Sequence, residues 1–124
     1  MLHLYIVEDW DKTAALCRRA GIEPPLMRFA VAADRENLEE YALFAKEGDA
    51  IVLKAAAAGE EGLLDGLVRA GLNSALLRGI AYGRLEETLP CRQRLEALGL
   101  KVGETFPLEA FFSCHHCGQH PKTE

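Results

Sequence analysis

Two stretches of the chain carry side chains able to do chemistry. The first is C-terminal: Cys114, His115, His116 and Cys117, followed by His120. Two thiolates at C-x-x-C spacing can hold one ion because a turn brings both sulfurs to the same side, and zinc or another thiophilic metal takes such ligands. His115, His116 or His120 would add a third. A closed tetrahedral site needs four ligands, and the chain has no second C-x-x-C. A homodimer sharing two such segments would supply four thiolates. The same spacing also serves thiol–disulfide exchange or sulfur transfer, so metal and redox chemistry both stay open.

The second stretch is GDAIVLKAAAAGEEG, residues 48–62. Residues 50–53 are apolar without alternation, as in a strand covered on both faces. Ala55 to Ala58 leave no bulk over its carboxyl end, and Gly59 with Glu60 and Glu61 opens a helix. Open α/β sheets bind ligands at such carboxyl ends. Lys54 stands there, and a neighbouring first strand would bring Glu8 or Asp9 within its reach. One reading is a structural ion pair. The other is a small-anion site made by Lys54, the helix start at Gly59 and Arg84 from a loop beginning at Tyr82. No Gly-Lys-Ser/Thr follows Gly59 or Gly62, so nucleotide hydrolysis of the P-loop type is unsupported.

The elements that must position these residues follow from hydropathy. The pattern predicts strands over residues 2–7, 26–32, 50–53, 75–80 and 100–106, and helices over 13–20, 34–47, 59–70 and 90–98. The helix over 34–47 rests on Asp34 as a cap and on Leu38, Tyr41, Ala42 and Ala45 at helical spacing. Gly21, Gly48 and Gly99 read as helix stops, residues 82–84 as a loop and 108–112 as a turn of helix. Gly62 and Gly66 each weaken their helix by roughly 1 kcal/mol relative to alanine, which close packing against the sheet would explain. Cys17 and Cys91 fall on apolar helix faces and read as small buried hydrophobes. Five strands alternating with helices give a three-layer α/β domain over residues 1–112. Its parallel five-stranded sheet has the flavodoxin-like order 2-1-3-4-5, and residues 113–124 form a Cys/His-rich tail.

Composition bounds the function. The 124 residues are a single-domain length, and the net charge of -5 argues against a general nucleic-acid or anionic-membrane binder. Residues 1–62 carry 7 basic and 12 acidic side chains and residues 63–124 carry 7 of each, so an anion site would draw on the second half. The apolar run at the start ends at Glu8, Asp9 and Asp11, far short of a membrane span, and no basic region precedes it; a cytoplasmic protein is expected.

Over residues 1–112 the chain resembles the receiver domains of two-component signalling. The likeness lies in Glu8 and Asp9 after the first strand, DAIVL at 49–53, AYG at 81–83 and FPLEAFF at 106–112. Lys54 stands where a receiver carries its phosphorylated aspartate, Ile80 near the expected Ser or Thr, and Phe106 where lysine precedes the proline. A lysine offers no nucleophilic oxygen beside magnesium, so the resemblance implies a receiver-like fold without phosphotransfer. FFSCHHC, residues 111–117, looks locally like the entry to a thioredoxin active site, where the motif opens a long helix. The reading that emerges is a binding or regulatory domain rather than an enzyme, with a C-terminal metal-binding segment and a small anion or a protein as partner. A thiol-exchange enzyme using Cys114 and Cys117, and an anion binder at Lys54, are the alternatives.

Overall fold

Gly48 and Asp49 decide the topology. In the computed structural model, which describes the backbone of residues 3–34 and 36–118 and side chains as far as Ser113, these two residues form a hairpin turn and terminate no helix. Gly48 has φ 63° and Glu47 pairs with Ala50 across it, as in a two-residue turn with glycine first. The segment before the turn is therefore a strand.

In chain order the elements are β1 (Tyr5–Val7), α1 (Trp10–Ala20), β2 (Arg28–Ala32), β3 (Tyr41–Glu47), β4 (Ala50–Ala57), α2 (Glu61–Leu77), β5 (Tyr82–Leu85), α3 (Arg92–Ala97), β6 (Thr105–Pro107) and α4 (Leu108–Gly118). The strands form one six-stranded sheet in the order β1-β2-β3-β4-β5-β6. β4 and β5, joined through α2, are parallel; every other neighbouring pair is antiparallel. The expected flavodoxin-like or receiver-like parallel sheet in the order 2-1-3-4-5 is thus overturned.

Five local assignments account for the correction. Residues 41–47, expected as helix, are β3, whose first five residues are all buried. Residues 55–57, expected as loop, extend β4. Residues 75–77, expected to open a strand, are the last turn of α2, and residues 82–84, expected as loop, belong to β5. The expected edge strand over 100–106 shrinks to Thr105–Pro107. α1 ends where expected, with Gly21 after it at φ 76°, but begins three residues earlier, at Trp10.

Each face of the sheet has its own core. Phe29, Val31, Ala42, Phe44, Ile51 and Leu53 face α2, with Leu95 of α3 and Leu108 of α4 completing that layer. Val7, Ala30, Ala32, Tyr41 and Leu43 face α1 through Leu16 and Cys17. The alternation along β4 slips at Lys54. Phe44 pairs with Leu53 and Leu43 with Ala55, so Lys54 is the extra residue of a β-bulge. Ala55 thereby joins the α1 side while Leu53 stays on the α2 side. Among the described residues, no helix is long and apolar enough to cross a membrane.

Candidate functional site

The bulge presents Lys54 on the sheet face opposite α2, beyond the area that α1 covers. Arg84 of β5 pairs with Val52 and shares that face. Between them stand two carboxylates. Lys54 Nζ lies 2.9 Å from Glu47 Oε2 and 3.8 Å from Glu86 Oε2, and Arg84 Nη2 lies 3.1 Å from Glu47 Oε1 and 3.0 Å from Glu86 Oε2. Two cations and two anions close a ring of zero net charge. The hydrogen bond from Lys54 holds the Glu47 carboxyl below the usual glutamate range, against the opposing effect of partial burial and with help from the Lys54 and Arg84 charges.

Beneath the ring lies Val52, fully buried yet in neither apolar cluster. Glu47, Lys54 and Arg84 share its face, so their aliphatic stems are what the sheet offers to cover it. The arrangement does what a packed helix does elsewhere on this face, with charged heads turned to water.

The other residues of the expected anion site are not brought to Lys54. β2 and β3 separate β1 from β4, and three inter-strand steps amount to about 14 Å, beyond a lysine's reach to Glu8 or Asp9. Glu8 instead pairs with Arg78 at 2.6 Å. Asp9 caps α1, its side chain accepting from the Lys12 backbone N–H at 2.9 Å. The Gly59 N–H donates to Glu40 Oε2 at 3.1 Å, so a carboxylate of the chain itself already occupies the approach to α2. Tyr82 is exposed on the same face as Arg84, two residues before it in β5. Of the six expected ligand residues, Lys54 and Arg84 meet, Tyr82 stands near, and Glu8, Asp9 and Gly59 lie elsewhere.

α4 runs through Cys114, His115, His116 and Cys117 as one helix; their side chains, and His120 altogether, lie outside the described residues. Among the described residues no group of three or more His, Cys, Asp or Glu could hold a metal ion. Cys17 and Cys91 are buried free thiols, each pushed up in pKa chiefly by desolvation, as befits inert core cysteines.

Sequence reasoning missed Glu47 and Glu86 as the partners of Lys54. The signal for Glu47 was present: a Gly-Asp dipeptide between two apolar runs marks a hairpin, which pairs Glu47 with Ala50 and puts it on the same face as Lys54, four residues further along β4. It also missed Arg28, which buckles α1 to β2. Arg28 donates to Thr13 Oγ1 at 2.8 Å, to the Pro25 carbonyl at 2.6 Å and to the Trp10 carbonyl at 2.8 Å, and its guanidinium lies 3.7 Å from the Trp10 ring centroid. No family model, curated protein or solved structure matches the chain.

Proposed function

We propose that the chain is a small cytoplasmic binding or regulatory domain whose last helix carries a metal site, with Cys114 and Cys117 supplying thiolates to zinc or another thiophilic ion. The observation that carries this reading is the course of α4. Leu108 anchors the helix in the core, and the same helix continues through both cysteine positions to Gly118. Positions three apart on a helix are surface neighbours, about 5–6 Å between Cβ atoms, a gap that one ion with bonds of about 2.3 Å to each sulfur can span.

Thiol exchange is the weaker reading for an electrostatic reason. A nucleophilic cysteine is activated at a helix N-terminus, whereas Cys114 stands in the second half of α4, where the dipole opposes a free thiolate. A bound cation supplies the compensating charge itself. The anion-binding reading is weakened by the neutral ring at Lys54, where Glu47 and Glu86 already meet both cations.

Two thiolates leave two coordination positions. A second copy of the helix would fill them and make a homodimer with one ion per two chains; His115, His116 or His120 would fill them within one chain. Native mass spectrometry of protein purified anaerobically without chelator tests the reading. The expected result is a dimer retaining one zinc, with both metal and dimer lost in Cys114→Ser. Metal-free protein whose Cys114 and Cys117 titrate as reactive thiols would overturn it in favour of thiol chemistry.

A further inference from the structure

A cavity of about 420 Å³ opens where α2, β5, β6 and the first turn of α4 converge, within the range of small-molecule sites. Its walls are apolar: Leu85 and Leu100 are buried, and Phe106 and Phe111 stand with ring centroids 5.2 Å apart. Its charged lining residues are Arg69 and Lys101, and no carboxylate among the described residues lines it. The surface of the lining is mostly hydrocarbon with a cationic end.

Arg69 is the unusual member. Its Nε donates to Asp65 Oδ1 at 2.7 Å, and its guanidinium carbon lies 5.2 Å from the centre of the Phe111 ring. That leaves the two terminal nitrogens. Nη1 is buried with no acceptor among the described residues, and Nη2 has none either. A buried donor left unsatisfied costs about 1–3 kcal/mol, and more when charged. Lys101, exposed at the rim, has no carboxylate partner among the described residues. The contrast with the Lys54 ring is plain: there every cation is matched, while here two cations border an apolar cavity and one carboxylate, Asp65, takes a single edge of Arg69.

We infer that this cavity binds a small amphipathic carboxylate, with the carboxylate accepting from the guanidinium of Arg69, supported by Lys101, and an aromatic or branched body lying against Phe106, Phe111, Leu85 and Leu100. The chemistry is complementary on both counts. A guanidinium whose terminal N–H groups lack acceptors matches a carboxylate, and paired rings offer faces and edges to an aromatic body. This site does not rest on the metal reading, since its described lining residues run from Arg69 to Phe111 and include none of the cysteines.

The probe is 3-phenylpropionate, titrated into the full-length chain by calorimetry and by amide chemical-shift mapping, beside its uncharged isostere 3-phenylpropionamide. The acid is expected to bind at least tenfold more tightly than the amide and to shift the amides of Leu100, Phe106 and Phe111. Arg69→Met is expected to weaken the acid at least tenfold and leave the amide unchanged; Lys101→Met, at an exposed position, is expected to weaken the acid about threefold. Equal affinity for acid and amide, absence of binding by the wild type, or shifts confined to residues outside the cavity would each overturn the inference. The acid-against-amide comparison in the wild type decides the matter even if Arg69→Met fails to fold.

Discussion

At Gly71 the helix α2 passes so close to the sheet that the side chain of Phe44 occupies the space a methyl group would need. A Cβ there would lie 2.0 Å from Phe44 Cε1 and 2.3 Å from Cζ. The ring cannot simply step aside, because Phe44 is fully buried and stacked on Phe29 at 5.3 Å. Gly71→Ala should therefore cost about 3 kcal/mol, at the upper end of ordinary overpacking, measured by urea denaturation. In a double-mutant cycle, Phe44→Leu should recover part of that loss; strictly additive effects would mean that the clash is relieved elsewhere. Close packing was the expected reason for Gly62 and Gly66, yet a Cβ at Gly62 meets nothing within 4 Å and one at Gly66 only Leu4 Cδ1 at 3.7 Å. The sequence shows that glycines interrupt a helix; which of them touches the sheet depends on the rotation of the helix about its axis. Lys54 teaches the same lesson. Its ion pairing was legible from type and context, but its partners depend on strand order, and the change of order replaced Glu8 and Asp9 by Glu47 and Glu86.

Three helices end by one device, and the sequence disclosed two of them. After α1, α2 and α3 the chain turns through Gly21, Gly79 and Gly99 at φ 76°, 90° and 86°. The next residue, Ile22, Ile80 or Leu100, donates its N–H back to Cys17, Ala75 or Leu95, the paired bonding of a Schellman ending with an apolar residue after the glycine. Gly21 and Gly99 were readable as stops because each directly follows the last residue of an apolar helical pattern, Ala20 or Leu98. Gly79 was hidden within ALLRGI, where a run of leucines followed by isoleucine also suits a short strand. The reverse error befell YALFA at 41–45, whose Tyr41, Ala42 and Ala45 satisfy helical spacing with Leu38 while the chain uses them as a buried strand; the hairpin at Gly48 overrides local propensity. Opposite effects should follow from one type of substitution within α2 and just after it. Gly79→Ala should destabilise by about 1 kcal/mol, since the cost is purely that of a left-handed backbone with open space around the Cβ. Gly66→Ala, inside the helix with only an ordinary contact, should stabilise by roughly 0.5–1 kcal/mol. Thermal denaturation of the two variants checks the pair, and a shift of the same sign in both would refute the assignment of Gly79 as the helix terminus.

As a whole the molecule is one mixed sheet with helices on both faces, and its last helix, α4, carries the cysteine pair. Both edge strands, β1 and β6, are three residues long, and β6 finishes in Pro107, so neither offers a long template for pairing sheet edges between copies. Association through α4 is the economical alternative. Within the described side chains, burial falls along α4: Leu108 is buried, Phe111 and Phe112 pack partly against the core, and Ser113 is exposed. A chain ending at Ser113 should consequently keep its fold. In chelator, so that no metal stabilises the full-length protein, its Tm should fall by no more than about 4 °C, the shift expected from roughly 1 kcal/mol in a domain of this size. It should lose zinc and dimerisation together while retaining 3-phenylpropionate affinity within about twofold, because the cavity is lined from Arg69 to Phe111. An unfolded product would mean that residues after Ser113 pack on the body and that metal binding belongs to the core's stability. A folded product that still dimerises would separate association from the cysteines and move the subunit contact to the sheet or to α2.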